Sequence, residues 1–133
     1  MPRIVACRSV LAVRDLKVST DFFMRVLGFR RDPIDAAGWS FLSRDGFRVM
    51  IGECPDEKPA GDLGDHSYFV HLMVEEVDRF HGEIAARGAE IIAGLADKPW
   101  GLREFAIRTP DGHRIVFAEP NDAAPAPVEG APR

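Results

Sequence analysis

An α+β fold built from two tandem βαβββ modules is what this sequence predicts, and three observations carry the prediction. The first is an internal echo: Val13-Arg14-Asp15-Leu16-Lys17, leading into a helix that closes on Leu27-Gly28-Phe29, is answered by Val74-Glu75-Glu76-Val77-Asp78 and a helix closing on Arg87-Gly88-Ala89. The echo lies about 61 residues on, and self-similarity at one spacing marks a duplicated supersecondary unit. The second is a pair of hairpins, in which an aromatic strand (Trp39 to Ser43, then Glu104 to Arg108) turns over Asp45-Gly46 or Asp111-Gly112 into another apolar strand. The third is a switch of apolar period, from two in each opening stretch to helical spacing directly after it.

In order, residues 4–13 read as a strand, and Asp15 reads as the N-cap of a helix burying Val18, Phe22, Phe23, Val26 and Leu27. A short strand at 29–32 follows, then the hairpin 39–43 and 47–52, whose Asp-Gly turn tolerates positive φ. Residues 54–66, rich in Pro, Gly, Asp and Glu without period, form the connector. The second copy supplies a strand at 67–74, a helix with Val77, Phe80, Ile84 and Ala85 inward and Gly88 as its C-cap, and strands at 89–93, 102–108 and 114–119. One domain over 1–119 is expected, with repeats at about 4–53 and 67–119. The tail at 120–133 lacks the apolar area to offset its ordering entropy and is expected to be mobile.

With 133 residues, the chain is long enough to bury a core without disulfides or a structural metal. Its net charge of -4 offers no basic stripe for a phosphate backbone, so no nucleic-acid partner is expected. Neither a signal-peptide pattern nor an apolar run of about 18 residues occurs, which predicts a cytoplasmic protein with no membrane partner. Cys7 and Cys54 lack metal or redox spacing and read as reduced and structural. No Ser-His-Asp or Cys-His arrangement, Gly-rich phosphate loop or paired-carboxylate spacing appears.

Alternation assigns faces. Leu11 and Val13, Leu72 and Val74, Val49, Ile51, Ile115 and Phe117 go beneath the helices, leaving Arg8, Val10, Ala12, Arg48, Met50, Phe69, His71, Met73, Arg114 and Val116 on the opposite, open face. His66, His81 and His113 are expected to face solvent. Trp39, Phe41, Trp100 and Phe105 are candidates for either core or ligand contact. Trp100, flanked by Pro99 and Gly101 in a loop, is the favoured stacking residue. An inward Arg8 needs either a partner, such as Glu104, or an anionic or carbonyl-bearing ligand.

The stretches Ser9-Val10-Leu11-Ala12-Val13-Arg14-Asp15-Leu16, Phe22-Phe23, Val26-Leu27-Gly28-Phe29 and Pro99-Trp100-Gly101-Leu102-Arg103-Glu104-Phe105 resemble the glyoxalase/bleomycin resistance/dioxygenase superfamily, also called vicinal oxygen chelate, over residues 4 to 119. The Pro-Trp-Gly-x-Arg-Glu-Phe run is most similar to the bleomycin resistance branch. The resemblance implies paired modules whose curved mixed sheets enclose a cavity, usually in a homodimer. It also implies a divalent metal on His, Gln or Glu at four positions, which here fall on Arg8, Phe69, Met50 and Val116. None of these side chains ligates a hard cation. Only His71 and Glu104 remain as non-standard candidates, fewer than the three ligands a catalytic site needs.

The leading expectation is therefore a protein with no cofactor, no metal and no catalytic residue, a homodimer that sequesters an aromatic or antibiotic-like small molecule. Arg8, Trp39, Phe41, Met50, Phe69, His71, Trp100, Glu104 and Arg114 are its candidate binding residues. The resemblance implies an acidic cleft for a cationic drug, whereas Arg8, Arg48 and Arg114 turn this one toward neutral or anionic compounds. The alternatives are a metal-dependent lyase or dioxygenase using His71 and Glu104, and a structural module whose cavities are filled with aromatic bulk.

Overall fold

The computed structural model describes residues 2–121, leaving out the side chains of residues 65 and 66. The chain runs β1 (Ser9–Val13), α1 (Leu16–Asp21) continuing into a π turn (Phe22–Val26), β2 (Arg30–Arg31), β3 (Trp39–Arg44), β4 (Phe47–Glu53), a 3-10 segment (Ala60–His66), β5 (Tyr68–Met73), α2 (Val77–Ala86), β6 (Glu90–Asp97), β7 (Leu102–Arg108) and β8 (Arg114–Pro120). Two mixed four-stranded sheets result, ordered β1-β4-β3-β2 and β5-β8-β7-β6. The duplication seen in the sequence is thus also a duplication of topology: in each sheet the opening strand pairs parallel with the closing strand, and the rest is an antiparallel meander. The described residues form two compact units, residues 2–67 with 109–113 and residues 68–108 with 114–121.

In the first unit Leu11, Val13, Leu42, Val49 and Ile51 lie under the helix with Phe23 and Leu27, all buried. Phe29 meets Phe23 and Phe47 edge-on at 5.3 and 5.7 Å, the geometry that ring quadrupoles favour. The helix is phased differently from the expectation. Val18 is 49% exposed and Phe22 only half-buried, while Ser19 and Thr20 are buried. Their hydroxyls explain it: Ser19 Oγ donates to Asp111 Oδ2 at 3.4 Å and Thr20 Oγ1 to Ser40 Oγ at 2.9 Å, so polar residues occupy the inner face without losing hydrogen bonds. As expected, Asp15 caps α1, its Oδ1 accepting from Val18 N at 3.1 Å.

β1 begins at Ser9 rather than Ile4. Its partner β4 starts at Phe47, so a strand reaching back to Ile4 would outrun the ladder; Ile4 is 95% exposed and Cys7 lies outside any strand. The connector is ordered in part, and its Gly61 N donates to Asp111 O at 2.8 Å. Asp111 is buried and draws the turn 109–113 into the first unit: its carboxylate accepts from Arg14 Nε at 2.9 Å and from Arg14 N at 3.3 Å. Gly112 follows at φ +89, so close to Gly61 that an added Cβ would lie 2.3 Å from Gly61 Cα.

The second unit packs Phe105, Ile107, Ile115 and Phe117 beneath Val77 and Ile84 of α2. Phe105 and Phe117 stack at 5.0 Å, and Phe80 lies 5.0 Å from Phe117. The α2 N-terminus has no side-chain cap of its own; Glu119 supplies one, accepting from Glu76 N and Val77 N at 3.0 and 3.1 Å. Leu72 and Val74, expected beneath the helix, are half-buried, and Val116, expected on the open face, is buried. β6 extends to Asp97, beyond the expected Ala93, through two register irregularities. Of the expected tail, Pro120 closes β8 and Asn121 N donates to Gly101 O at 3.1 Å; the rest lies outside the described residues.

Candidate functional site

The open face of the first sheet is built in cross-strand rows, because residues paired across a ladder share a face. Val10 pairs with Met50 and Met50 with Phe41, giving an apolar middle row; Ala12, Gly52 and Trp39 form the next. The Trp39 indole lies flat on Gly52: a Cβ there would meet its ring carbons at 2.7 to 3.0 Å. At the other end Arg48 pairs with Ser43 and Ser43 with Arg30. Arg8, just before β1, lays its guanidinium over the Phe41 ring, 5.2 Å from the centroid, a cation–π contact. Four of the nine candidate residues, Arg8, Trp39, Phe41 and Met50, therefore meet on one face.

The second sheet repeats the device with different residues. Arg114 sits over the Tyr68 ring at 5.3 Å, a partner that strict alternation missed. The cause is a register shift between Tyr68 and Val70, which makes Phe69 the extra residue and puts Tyr68, not Phe69, opposite Arg114. Nothing in the Ser67-Tyr68-Phe69 run announces a bulge. His71 and Met73 stand exposed opposite Val116 and Ala118. Trp100, 51% exposed in its loop, donates from Nε1 to Glu104 Oε1 at 2.9 Å, with Lys98 Nζ 5.8 Å from its ring. Glu104 and Arg8 thus each find a partner inside their own unit. Phe105 is core, 1% exposed.

A metal does not fit these residues. Among the described residues no group of three His, Cys, Asp or Glu is placed to hold an ion. His71 and Glu104 are on strands separated by β8, and the Glu104 carboxylate is already turned to Trp100. Two of the expected solvent-facing histidines are instead half-buried. His81 packs edge-on against Phe105 at 4.9 Å, and His113 lies beside the Asp111 turn, where burial lowers its pKa below the usual 6.5 while Asp111 pulls it back up. The position expected for His66 lies outside the described side chains. Elsewhere, the hydrogen bond from Arg103 holds the exposed Asp78 carboxylate below its ordinary 3.8, a surface pairing with no catalytic neighbour. A separate open depression of about 510 Å³, lined by Asp15, Lys17, Thr20, Arg31, Ser40 and Glu53, holds none of the candidates. Among the described residues no helix is long and apolar enough to cross a membrane.

Duplicated βαβββ units whose mixed sheets share one strand order define a class of paired-module α+β proteins. The model of the Glyoxalase/Bleomycin resistance protein/Dioxygenase superfamily matches residues 3–117, and the chain belongs to that superfamily. Among solved structures, TioX from Micromonospora sp. ML1 is similar at 29% identity and a TM-score of 0.70, over 88% of this chain and 99% of that one. The bleomycin-binding protein from bleomycin-producing Streptomyces verticillus, complexed with copper(II)-bleomycin, is 22% identical with a TM-score of 0.71 over 91% and 100%. A glyoxalase/bleomycin resistance protein/dioxygenase from Nocardioides is 19% identical with a TM-score of 0.74 over 96% and 91%. The last two likenesses establish the common fold. No curated protein matches the chain in sequence.

Proposed function

We propose that this protein is a metal-free, cytoplasmic homodimer that sequesters a planar aromatic small molecule without altering it. The observation that carries the reading is the middle of the first sheet's open face, where Val10, Met50 and Phe41 form one row and the Trp39 indole lies beside them on Gly52. Such a surface binds a flat ligand by desolvation and stacking, and the arginines at its edge disfavour a cation. The Streptomyces verticillus neighbour, solved with copper(II)-bleomycin, supports a binding role on this fold. Dimerisation is supported by the apolar residues left exposed on the edge strands, Val10 at 61% on β1 and Tyr68 and Met73 at 58% and 50% on β5.

Calorimetric titration with 2-naphthamide, a neutral planar probe, is expected to show binding that Phe41→Ala weakens about tenfold, the scale of one lost aromatic contact. The probe should be recovered chemically unchanged. The protein isolated without chelator should carry no stoichiometric metal, and light scattering should return twice the chain mass. One equivalent of zinc, nickel, iron or manganese per chain, or turnover of the probe, would overturn sequestration.

A further inference from the structure

The basic end of the same face has a structure of its own. Ser9 pairs with Val49, so Arg8, the residue just before β1, falls in line with Arg48 of β4, and the row continues through Ser43 to Arg30. Adjacent strands run about 4.8 Å apart, and like charges placed side by side on them repel. The third arginine is neutralised locally: Arg30 Nε lies 3.5 Å from Asp32 Oδ1 and 3.2 Å from Ser43 Oγ. Arg8 and Arg48 are both exposed, and neither side chain makes an ion pair or hydrogen bond among the described residues. Arg8 is nonetheless held in place, because its guanidinium is laid on the Phe41 ring. A guanidinium fixed by its face keeps the N–H fork along its edge for a planar, two-oxygen acceptor.

We propose that Arg8 and Arg48 form an oxyanion subsite, taking the carboxylate or phosphate of a ligand whose aromatic part lies beside Phe41, on Met50 and Trp39. This rests on the binding reading above and adds the ligand's charge and orientation: acid group toward Arg8 and Arg48, ring toward Trp39. The subsite relieves the repulsion between two neighbouring cations, which a neutral ligand leaves in place. Because both arginines are exposed, the attraction is screened by salt.

The test is calorimetric titration of the full chain with 2-naphthoate, 2-naphthyl phosphate and 2-naphthamide, at low and at high sodium chloride. At low salt one or both anions should bind at least tenfold tighter than the amide, whichever is the tighter naming the source of the oxyanion, and high salt should shrink the preference. Arg8→Gln and Arg48→Gln should each reduce the anion's affinity tenfold or more, Arg48→Lys less, and Arg25→Gln, an exposed residue of the π turn, not at all; circular dichroism melts verify that each variant folds. If the amide binds as tightly as the anions, the subsite is wrong while the aromatic reading survives. If none of the three binds at millimolar concentration, both fail. An anion preference undiminished in both glutamine variants overturns the assignment to these arginines.

Discussion

Gly112 and Gly88 make a matched pair that separates backbone strain from packing. Both are left-handed, at φ +89 and +96, and alanine at either position costs about 1–2 kcal/mol for a Cβ in that region. Around Gly88 nothing lies within 4 Å, so strain is the whole cost. At Gly112 the new Cβ would fall 2.3 Å from Gly61 Cα and 2.5 Å from Gly61 N, where carbon contacts normally settle near about 3.5–4.0 Å. Two backbone segments must then part by more than about 1 Å, although the 2.8 Å bond from Gly61 N to Asp111 O ties them together. Overpacking of this kind adds about 1–3 kcal/mol. Gly88→Ala is therefore expected to cost about 1–2 kcal/mol and Gly112→Ala about 2–5. Urea unfolding with a shared m-value measures the difference directly. Equal costs at the two sites, or a milder Gly112→Ala, would refute the argument that Gly61 and Gly112 are in obligatory contact.

Phe23→Ala, at 0% exposure, should destabilise the fold by about 3–5 kcal/mol and the half-buried Phe22→Ala by clearly less, as thermal melts would show; the reverse order would mean the helix is phased the other way. The lowered pKa of His113 means the unfolded chain takes up the proton first, so its contribution is full above about 6.5 and drains as pH falls toward the folded value. His113→Gln should flatten that part of the stability–pH curve, and an unchanged slope would exclude His113 as its source. Trp100→Phe removes the bond to the Glu104 carboxylate from a half-exposed loop, so its unfolding free energy should change by no more than about 1 kcal/mol; a larger loss would make the loop structural.

The helix-facing residues of β1, β4 and β8 were legible in the sequence, whereas Val116, expected on the open face of β8, is buried with its neighbours. Leu11, Val13, Val49, Ile51, Ile115 and Phe117 are all buried because a side-chain period of two leaves no choice once the helix side is known. The phase of α1 was not legible, since its inner positions Ser19 and Thr20 are satisfied by hydroxyl partners, Asp111 and Ser40, that are distant in sequence. Hydrophobic spacing registers apolar residues, not polar ones with hidden acceptors. Tyr68 was missed for another reason: one inserted residue reverses parity, and a bulge depends on the neighbouring strand rather than on its own residues. That Arg8, Phe69, Met50 and Val116 supply no oxygen or imidazole for a hard cation was legible from residue type alone.

The chain has two tryptophans, and they fall one to each unit: Trp39 in β3, resting on Gly52, and Trp100 in the loop before β7. Each unit therefore carries its own intrinsic fluorophore, one shielded by its sheet and the other half in water beside a carboxylate. With Trp100 replaced by Phe, emission follows the first unit alone; with Trp39 replaced, it follows the second. Denaturation curves from the two variants report whether the duplicated halves melt as one body or in sequence, and a ligand seated on the first sheet should shift the emission of Trp39 while leaving that of Trp100 in place.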